Sequence, residues 1–188
     1  PFGGCITIAS ALPIVIISYM YGVKHGLFTA FAYAVVQIVC DLLLGHSSVI
    51  LALFTPGSDS FGGFGMAVFV LLLDYLLAYS VLGLGGLFGK RLDKGPALAL
   101  GAGVALALRY LSHVLSGAIF YGAWAEWFFT QDGFPAWGAR LVESLSPTIL
   151  GITYSVVYNG MYMVPEMILT AIAALLLGKI PQITAKMD

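Results

Sequence analysis

Asp41, Asp74, Arg109, His113, Asn159 and Glu166 are charged or strongly polar side chains set deep inside otherwise apolar stretches. An ionisable group in hydrocarbon is expensive, so it faces a bundle interior or a cavity. Together the spans offer a carboxylate (Asp74), an imidazole (His113), an amide (Asn159) and several phenols (Tyr75, Tyr79, Tyr121, Tyr154). Carboxylate plus aromatic rings suit a cation with a flat ring, through charge pairing and cation–π contact. Amide, carboxylate and imidazole add donors and acceptors for the edge of a heterocycle. A phosphate or dicarboxylate would require more than one arginine.

The elements that position these groups follow from composition. Of 188 residues, 60% are hydrophobic and only 9% charged, against about a quarter charged in soluble domains. The solvent for this much apolar surface is lipid. The formal net charge is −1, with no basic patch for nucleic acid. Cys5 and Cys40 match no metal spacing and read as packed thiols. No metal site, cofactor or catalytic residue is predicted.

Gly, Pro and charge punctuation divides the chain into spans: Ile8–Tyr21, Gly26–Leu53, Phe64–Phe88, Pro96–Tyr121, and one from Ser146-Pro147 to Gly178-Lys179. The first is short; the others reach the ~20 residues a crossing helix needs. The segment from Gly122 to Leu145 reads as a polar, aromatic loop. Runs this long and uniformly apolar lack the alternation of a barrel strand. The fold class is therefore an all-α membrane protein, a bundle of about five transmembrane helices forming one domain over residues 1–188.

Lys24, then Lys90, Arg91 and Lys94, then Lys179 and Lys186 fall on one side if the spans alternate. The positive-inside rule places that side, with the C-terminus, in the cytoplasm of a cell that carries the chain as a multi-pass protein. An external Pro1 then suggests a preceding helix, making these five spans of six.

At ~1.5 Å rise per residue, Asp41, Asp74, His113 and Asn159 lie about 12–20 Å below the outer span ends, at comparable depth. Arg109 and His113 share a helix face at i,i+4, continued by Ser116, Gly117, Phe120 and Tyr121. Tyr154, Tyr158 and Tyr162 step by four beside Asn159, and Pro165 predicts a kink near Gly160–Pro165. Glu166 sits deeper and has a separate role.

Plainer readings stand beside these. Asp74 can pair with Arg109 as a structural ion pair. His113 can be a satisfied interior histidine, and Tyr154 and Asn159 can be interhelical hydrogen-bonding groups. Trp124 and Trp127 fit an interfacial aromatic belt. Asp41, paired with Gln37 at i,i+4, divides evenly between ligand contact and internal support. His25 and His46 lie near span ends and read as solvated.

Several separated motifs resemble the thiamine-specific S components of energy-coupling factor transporters. Leu73-Asp74-Tyr75-Leu76-Leu77-Ala78 through Gly83-Leu84-Gly85-Gly86-Leu87-Phe88 is similar to that family's acid-Tyr segment. So are Arg109-Tyr110-Leu111-Ser112-His113 with Ser116-Gly117 and Ile119-Phe120, and Tyr154-Ser155-Val156-Val157-Tyr158-Asn159-Gly160 with Met163 and Pro165-Glu166. Gly3-Gly4, Leu12-Pro13 and Gly22-Val23-Lys24-His25-Gly26-Leu27 extend the resemblance over nearly the whole chain.

The resemblance implies a six-helix substrate-capture fold, here without its first helix. It implies that the subunit takes thiamine from outside and docks on a transmembrane coupling subunit driven by two ATPase subunits, with membrane lipid around it. By motif, Asp74, His113, Tyr154 and Asn159 fall on ligand-contacting positions, with Asp74 where some members carry Glu. Tyr121 falls on a stacking aromatic position that is often Trp, and Tyr75 carries over beside Asp74. Gln37, Tyr79 and Tyr158 are further candidates.

Two other classes remain. A stand-alone secondary transporter of a small cationic heterocycle would use Asp41, Asp74 or Glu166 as proton sites, but such carriers commonly show internal repeats, and none is visible. An intramembrane hydrolase would need Ser112 or Ser116 within reach of His113 plus an orienting group. The chain carries no P-loop pattern.

Overall fold

The computed structural model describes residues 9–44, 64–89 and 92–184, excluding the Thr184 side chain. Among these, all regular structure is helical. Helix α1 spans Leu12–Tyr21, with Pro13 in its first turn. It ends at Gly22, whose φ of 90° and N–H bond to the Ser18 carbonyl close the helix in a conformation that glycine adopts freely. Helix α2, Val23–Leu44, starts at once. Helix α3 runs Phe64–Gly86, α4 Lys94–Phe120 and, after a tight turn at Gly122–Trp124, α5 Ala125–Thr130. Helix α6 is Trp137–Ser144, α7 Pro147–Leu177 and α8 Pro181–Thr184.

Four of these helices, α2, α3, α4 and α7, are long and apolar enough to cross a membrane. The first span, expected to be short, is in its described part the ten-residue α1, below the length of a crossing. The expected second span starts earlier, at Val23, and its stretch beyond Leu44, with His46, lies outside the described residues, as do Cys5, Lys90, Arg91 and Lys186. The segment from Gly122 to Leu145, expected as loop, instead holds α5 and α6. Their core face (Ala125, Phe128, Phe129) packs with Leu150 and Tyr154 of α7, and that burial overrides the segment's turn-rich composition.

Helix α7 begins where Ser146 is extended and Pro147 occupies the first turn, and its first backbone bond runs from Leu150 N–H to the Ser146 carbonyl. It continues as one helix through Pro165 to Leu177. Helix α4 starts at Lys94, two residues before the expected Pro96, with Asp93 as the extended flanking residue.

Close helix packing relies on small residues. The Ser18 hydroxyl of α1 donates to the Gly83 carbonyl and accepts the Gly86 N–H of α3. Gly101 of α4 lies against the Gly85 backbone so closely that a Cβ there would overlap the carbonyl oxygen. Small residues and interhelical hydrogen bonds are what hold helices together where water supplies no hydrophobic drive. The outward faces are correspondingly apolar, with Phe28 76% and Leu43 78% exposed.

Helix α3 is not uniformly wound. Residues Leu71–Leu77 form a π-helical stretch, and Val81–Gly86 tighten into a 3-10 helix. Irregular backbone at membrane depth is tolerated where protein surrounds it. Here the Leu73 carbonyl accepts both the Ala78 N–H and the Ser112 hydroxyl of α4. Single π turns inside helices recur at functional sites, and this one carries Asp74 and Tyr75.

Candidate ligand site between helices α2, α3, α4 and α7

Asp74 projects from the π-helical stretch toward α4. One carboxylate oxygen meets His113 Nδ1 at 2.9 Å, and the other accepts the Ser116 hydroxyl at 2.7 Å. A carboxylate oxygen accepts, so Nδ1 is the donating nitrogen and Nε2 faces away from Asp74; in the neutral imidazole Nε2 is the acceptor. Nε2 is buried and has no hydrogen-bond partner among the described residues. A buried unpaired polar atom is costly, which makes His113 Nε2 a candidate for a ligand contact.

Tyr75, the next residue, turns to α2 instead. Its hydroxyl donates to Asp41 at 2.8 Å, and Gln37 Nε2 donates to the other Asp41 oxygen at 3.1 Å. On α7, Asn159 Nδ2 donates to the Ser155 carbonyl at 2.8 Å and to the backbone carbonyl of His113 at 3.3 Å. Asn159 Oδ1 accepts the Tyr162 hydroxyl. Ser155 donates to the Val114 carbonyl at 2.8 Å, a second tie between α4 and α7.

Aromatic rings flank the polar groups. Tyr154 and Tyr158 are stacked, with centroids 5.7 Å apart and planes 26° apart, and Phe128 meets Tyr154 edge-on at 5.2 Å. Tyr121, at the end of α4, packs against both the Ala67–Val70 surface of α3 and the α5–α7 cluster.

The structure thus brings Asp74 and His113 into direct contact and places Asn159 on the His113 backbone. Tyr75 and Gln37 converge on Asp41. Tyr154, Tyr158 and Tyr121 form one aromatic cluster. Tyr79 is apart from Asp74: its ring lies under the Arg109 guanidinium at 4.6 Å and against Tyr33.

The alternative pairing of Asp74 with Arg109 is not what forms. Arg109 lies one turn away from His113, about 5.4 Å along the axis, and faces Glu166 of α7 at 3.8 Å. Glu166 also accepts the Ser10 hydroxyl at 2.8 Å, giving it the separate role its depth suggested. Ser112 and Ser116 spend their hydroxyls on the Leu73 carbonyl and on Asp74, an arrangement that supports the carboxylate rather than a nucleophile.

Residues absent from the predicted site also take part. Ser116 holds the second Asp74 oxygen, Tyr162 occupies the Asn159 carbonyl oxygen, and Phe128 packs on Tyr154. Ser116 was legible as part of the Arg109–His113 stripe, and Tyr162 as the third of three tyrosines spaced by four. Phe128 had no signal, because its segment read as loop.

The profile of the family described as "Thiamine transporter protein" matches residues 1–185. Thiamine transporter ThiT of Bacillus subtilis (strain 168) is 30% identical over 187 residues, covering 94% of this chain and 76% of that protein. A family of transporters, carried here on several apolar helices, makes this a multi-pass membrane protein and not an enzyme. With a carboxylate–histidine pair and a tyrosine cluster gathered from separate spans, the chain belongs to the thiamine transporter protein family.

Proposed function

We propose that this protein captures thiamine at the outer side of a cell membrane and hands it, as a substrate-binding subunit, to a transmembrane coupling subunit energised by two ATPases. The observation that carries the reading is the Asp74–His113 pair with its unsatisfied Nε2. Thiamine joins a cationic thiazolium ring to an aminopyrimidine. Asp74 supplies the countercharge, and His113 Nε2 supplies an acceptor for the exocyclic amine. The stacked Tyr154 and Tyr158, with Tyr121 of the same cluster, supply aromatic faces for the two rings. Asn159 and Tyr75 complete the polar rim, with Gln37 and Tyr79 behind it. The basic residues Lys24, Lys94 and Lys179 support a cytoplasmic C-terminus, with lipid covering the apolar outer faces.

Purified protein titrated with thiamine tests the capture step. Saturable quenching of the tryptophan fluorescence is expected, and no heat or fluorescence change up to millimolar ligand would reject it. Vesicle uptake tests the hand-over. Uptake should require the ATPases; uptake driven by a proton gradient in their absence would favour a stand-alone secondary carrier.

A further inference from the structure

The two side chains that follow one another on the π-helical stretch of α3 point to different neighbours, and the second of them is anchored by Asp41, which the sequence leaves open between ligand contact and internal support. Asp41 sits on α2, whose surrounding positions Val35, Val36, Val39 and Leu43 face outward and are apolar. A carboxylate on such a helix is disfavoured unless it is partnered. Asp41 is partnered twice, by the Tyr75 hydroxyl at 2.8 Å and by Gln37 Nε2 at 3.1 Å. Each oxygen thus has its own donor, and the Tyr75 bond is the one that crosses between helices.

We propose that Asp41 is a positioning residue for ligand capture: from α2 it holds the Tyr75 hydroxyl and so fixes that ring beside Asp74. A tyrosine ring has two rotatable side-chain torsions, and a hydrogen bond at its far end removes the freedom of both. With the Tyr75 hydroxyl fixed on α2 and Asp74 fixed on α4 by His113 and Ser116, adjacent side chains of α3 are splayed between two helices. The spacing of the two side chains is then set before ligand arrives, which spares the ordering that binding would otherwise require. Gln37 acts behind this contact, holding the other oxygen so that Asp41 presents the remaining one to Tyr75.

The inference rests on the proposed capture of thiamine, and a double-mutant cycle separates the two. Wild-type protein, Asp41→Ala, Asp41→Asn, Tyr75→Phe and the Asp41→Ala/Tyr75→Phe double variant are titrated with thiamine by calorimetry, each after a check that it is monodisperse in detergent. Absence of wild-type binding overturns the capture reading and this inference with it. If wild type binds, Asp41→Ala and Tyr75→Phe should each weaken affinity on the order of ten-fold, the scale of a hydrogen bond to a charged group. The double variant should be no weaker than either single, because both remove the same contact. Asp41→Asn should stay within about three-fold of wild type, since an amide oxygen still accepts the Tyr75 hydroxyl. An Asp41→Ala loss that persists undiminished in the Tyr75→Phe background would overturn the positioning role. So would an Asp41→Asn loss as large as that of Asp41→Ala, which would mean that the Asp41 charge acts on the cation directly.

Discussion

Asp74 and His113 meet at 2.9 Å across two helices, with Asp74 on the π-helical stretch of α3 and His113 in the C-terminal half of α4. The contact does two things at once. It orients the imidazole so that Nε2 is directed away from the carboxylate, and it leaves the second Asp74 oxygen to accept the Ser116 hydroxyl. In the proposed capture of thiamine, this pair is the half-site that meets the ligand's positive charge and its donor.

Replacing Asp74 by Asn should therefore weaken thiamine binding by ten-fold or more, because a charge-assisted contact contributes ~1.5–3 kcal/mol. Ser116→Ala removes only a support for one oxygen and should weaken it less, on the order of three-fold. Calorimetric titration of the three proteins measures both. Equal affinities for wild type and Asp74→Asn would remove Asp74 from the ligand contacts.

Much of this arrangement was legible in the sequence because span ends and helical rise fix depth. Asp74, His113 and Asn159 were expected at one level, and they are linked: Asp74 to the His113 ring, and Asn159 to the His113 carbonyl. Lateral position was harder to read. Periodicity places Arg109 and His113 on one face but does not say which neighbour lies opposite each; the sequence offered Arg109 as the partner of Asp74, whereas the structure pairs Asp74 with His113 and Arg109 with Glu166. The π winding was also hidden. It depends on how the Leu73 carbonyl is shared between Ala78 and Ser112, a tertiary relation with no local signature. The two short helices after Gly122 are stabilised by Phe128 and Phe129 packing on α7, which again is contact rather than pattern.

Glu166 is 2% exposed and is the carboxylate opposite Arg109, which is 12% exposed. Removing it leaves a guanidinium buried without its counter-charge, and breaking a buried pair in this way costs about 3–5 kcal/mol. Glu166→Ala should lower the thermal unfolding midpoint of the ligand-free protein sharply. Removing both charges in Arg109→Met/Glu166→Met should recover much of the loss. A double variant no more stable than Glu166→Ala would show that the pair itself is not the source of the effect.

Two glycines two residues apart on α4, Gly101 and Gly103, differ in their surroundings. A Cβ at Gly101 would overlap the backbone carbonyl of Gly85, whereas at Gly103 a Cβ has no neighbour within 4 Å. Gly101→Ala forces α3 and α4 apart and should reduce the yield of folded protein. Gly103→Ala should be neutral or raise stability by up to ~1 kcal/mol, the helix-propensity difference between the two residues. Thermal midpoints by size-exclusion of heated samples compare the two. Equal behaviour would mean that the close α3–α4 approach is not needed for the fold.

Asn159 separates a ligand contact from a purely interhelical role. Its Nδ2 is engaged by Ser155 and the His113 carbonyl, and its Oδ1 by the Tyr162 hydroxyl. Each end is satisfied within the protein, so a ligand donor reaching Oδ1 must compete with Tyr162. Tyr162→Phe removes that competitor without disturbing the Nδ2 bonds. If Asn159 serves the pyrimidine edge, thiamine affinity in Tyr162→Phe should hold or rise, while Asn159→Ala should lower it by on the order of ten-fold. Asn159→Ala should also lower the unfolding midpoint modestly, since interhelical hydrogen bonds in membrane proteins contribute ~0.6 kcal/mol on average. Binding of a pyrimidine fragment lacking the thiazolium reports on the same edge. A variant Asn159→Ala that loses stability but binds the fragment as wild type does would assign Asn159 to the α4–α7 interface alone.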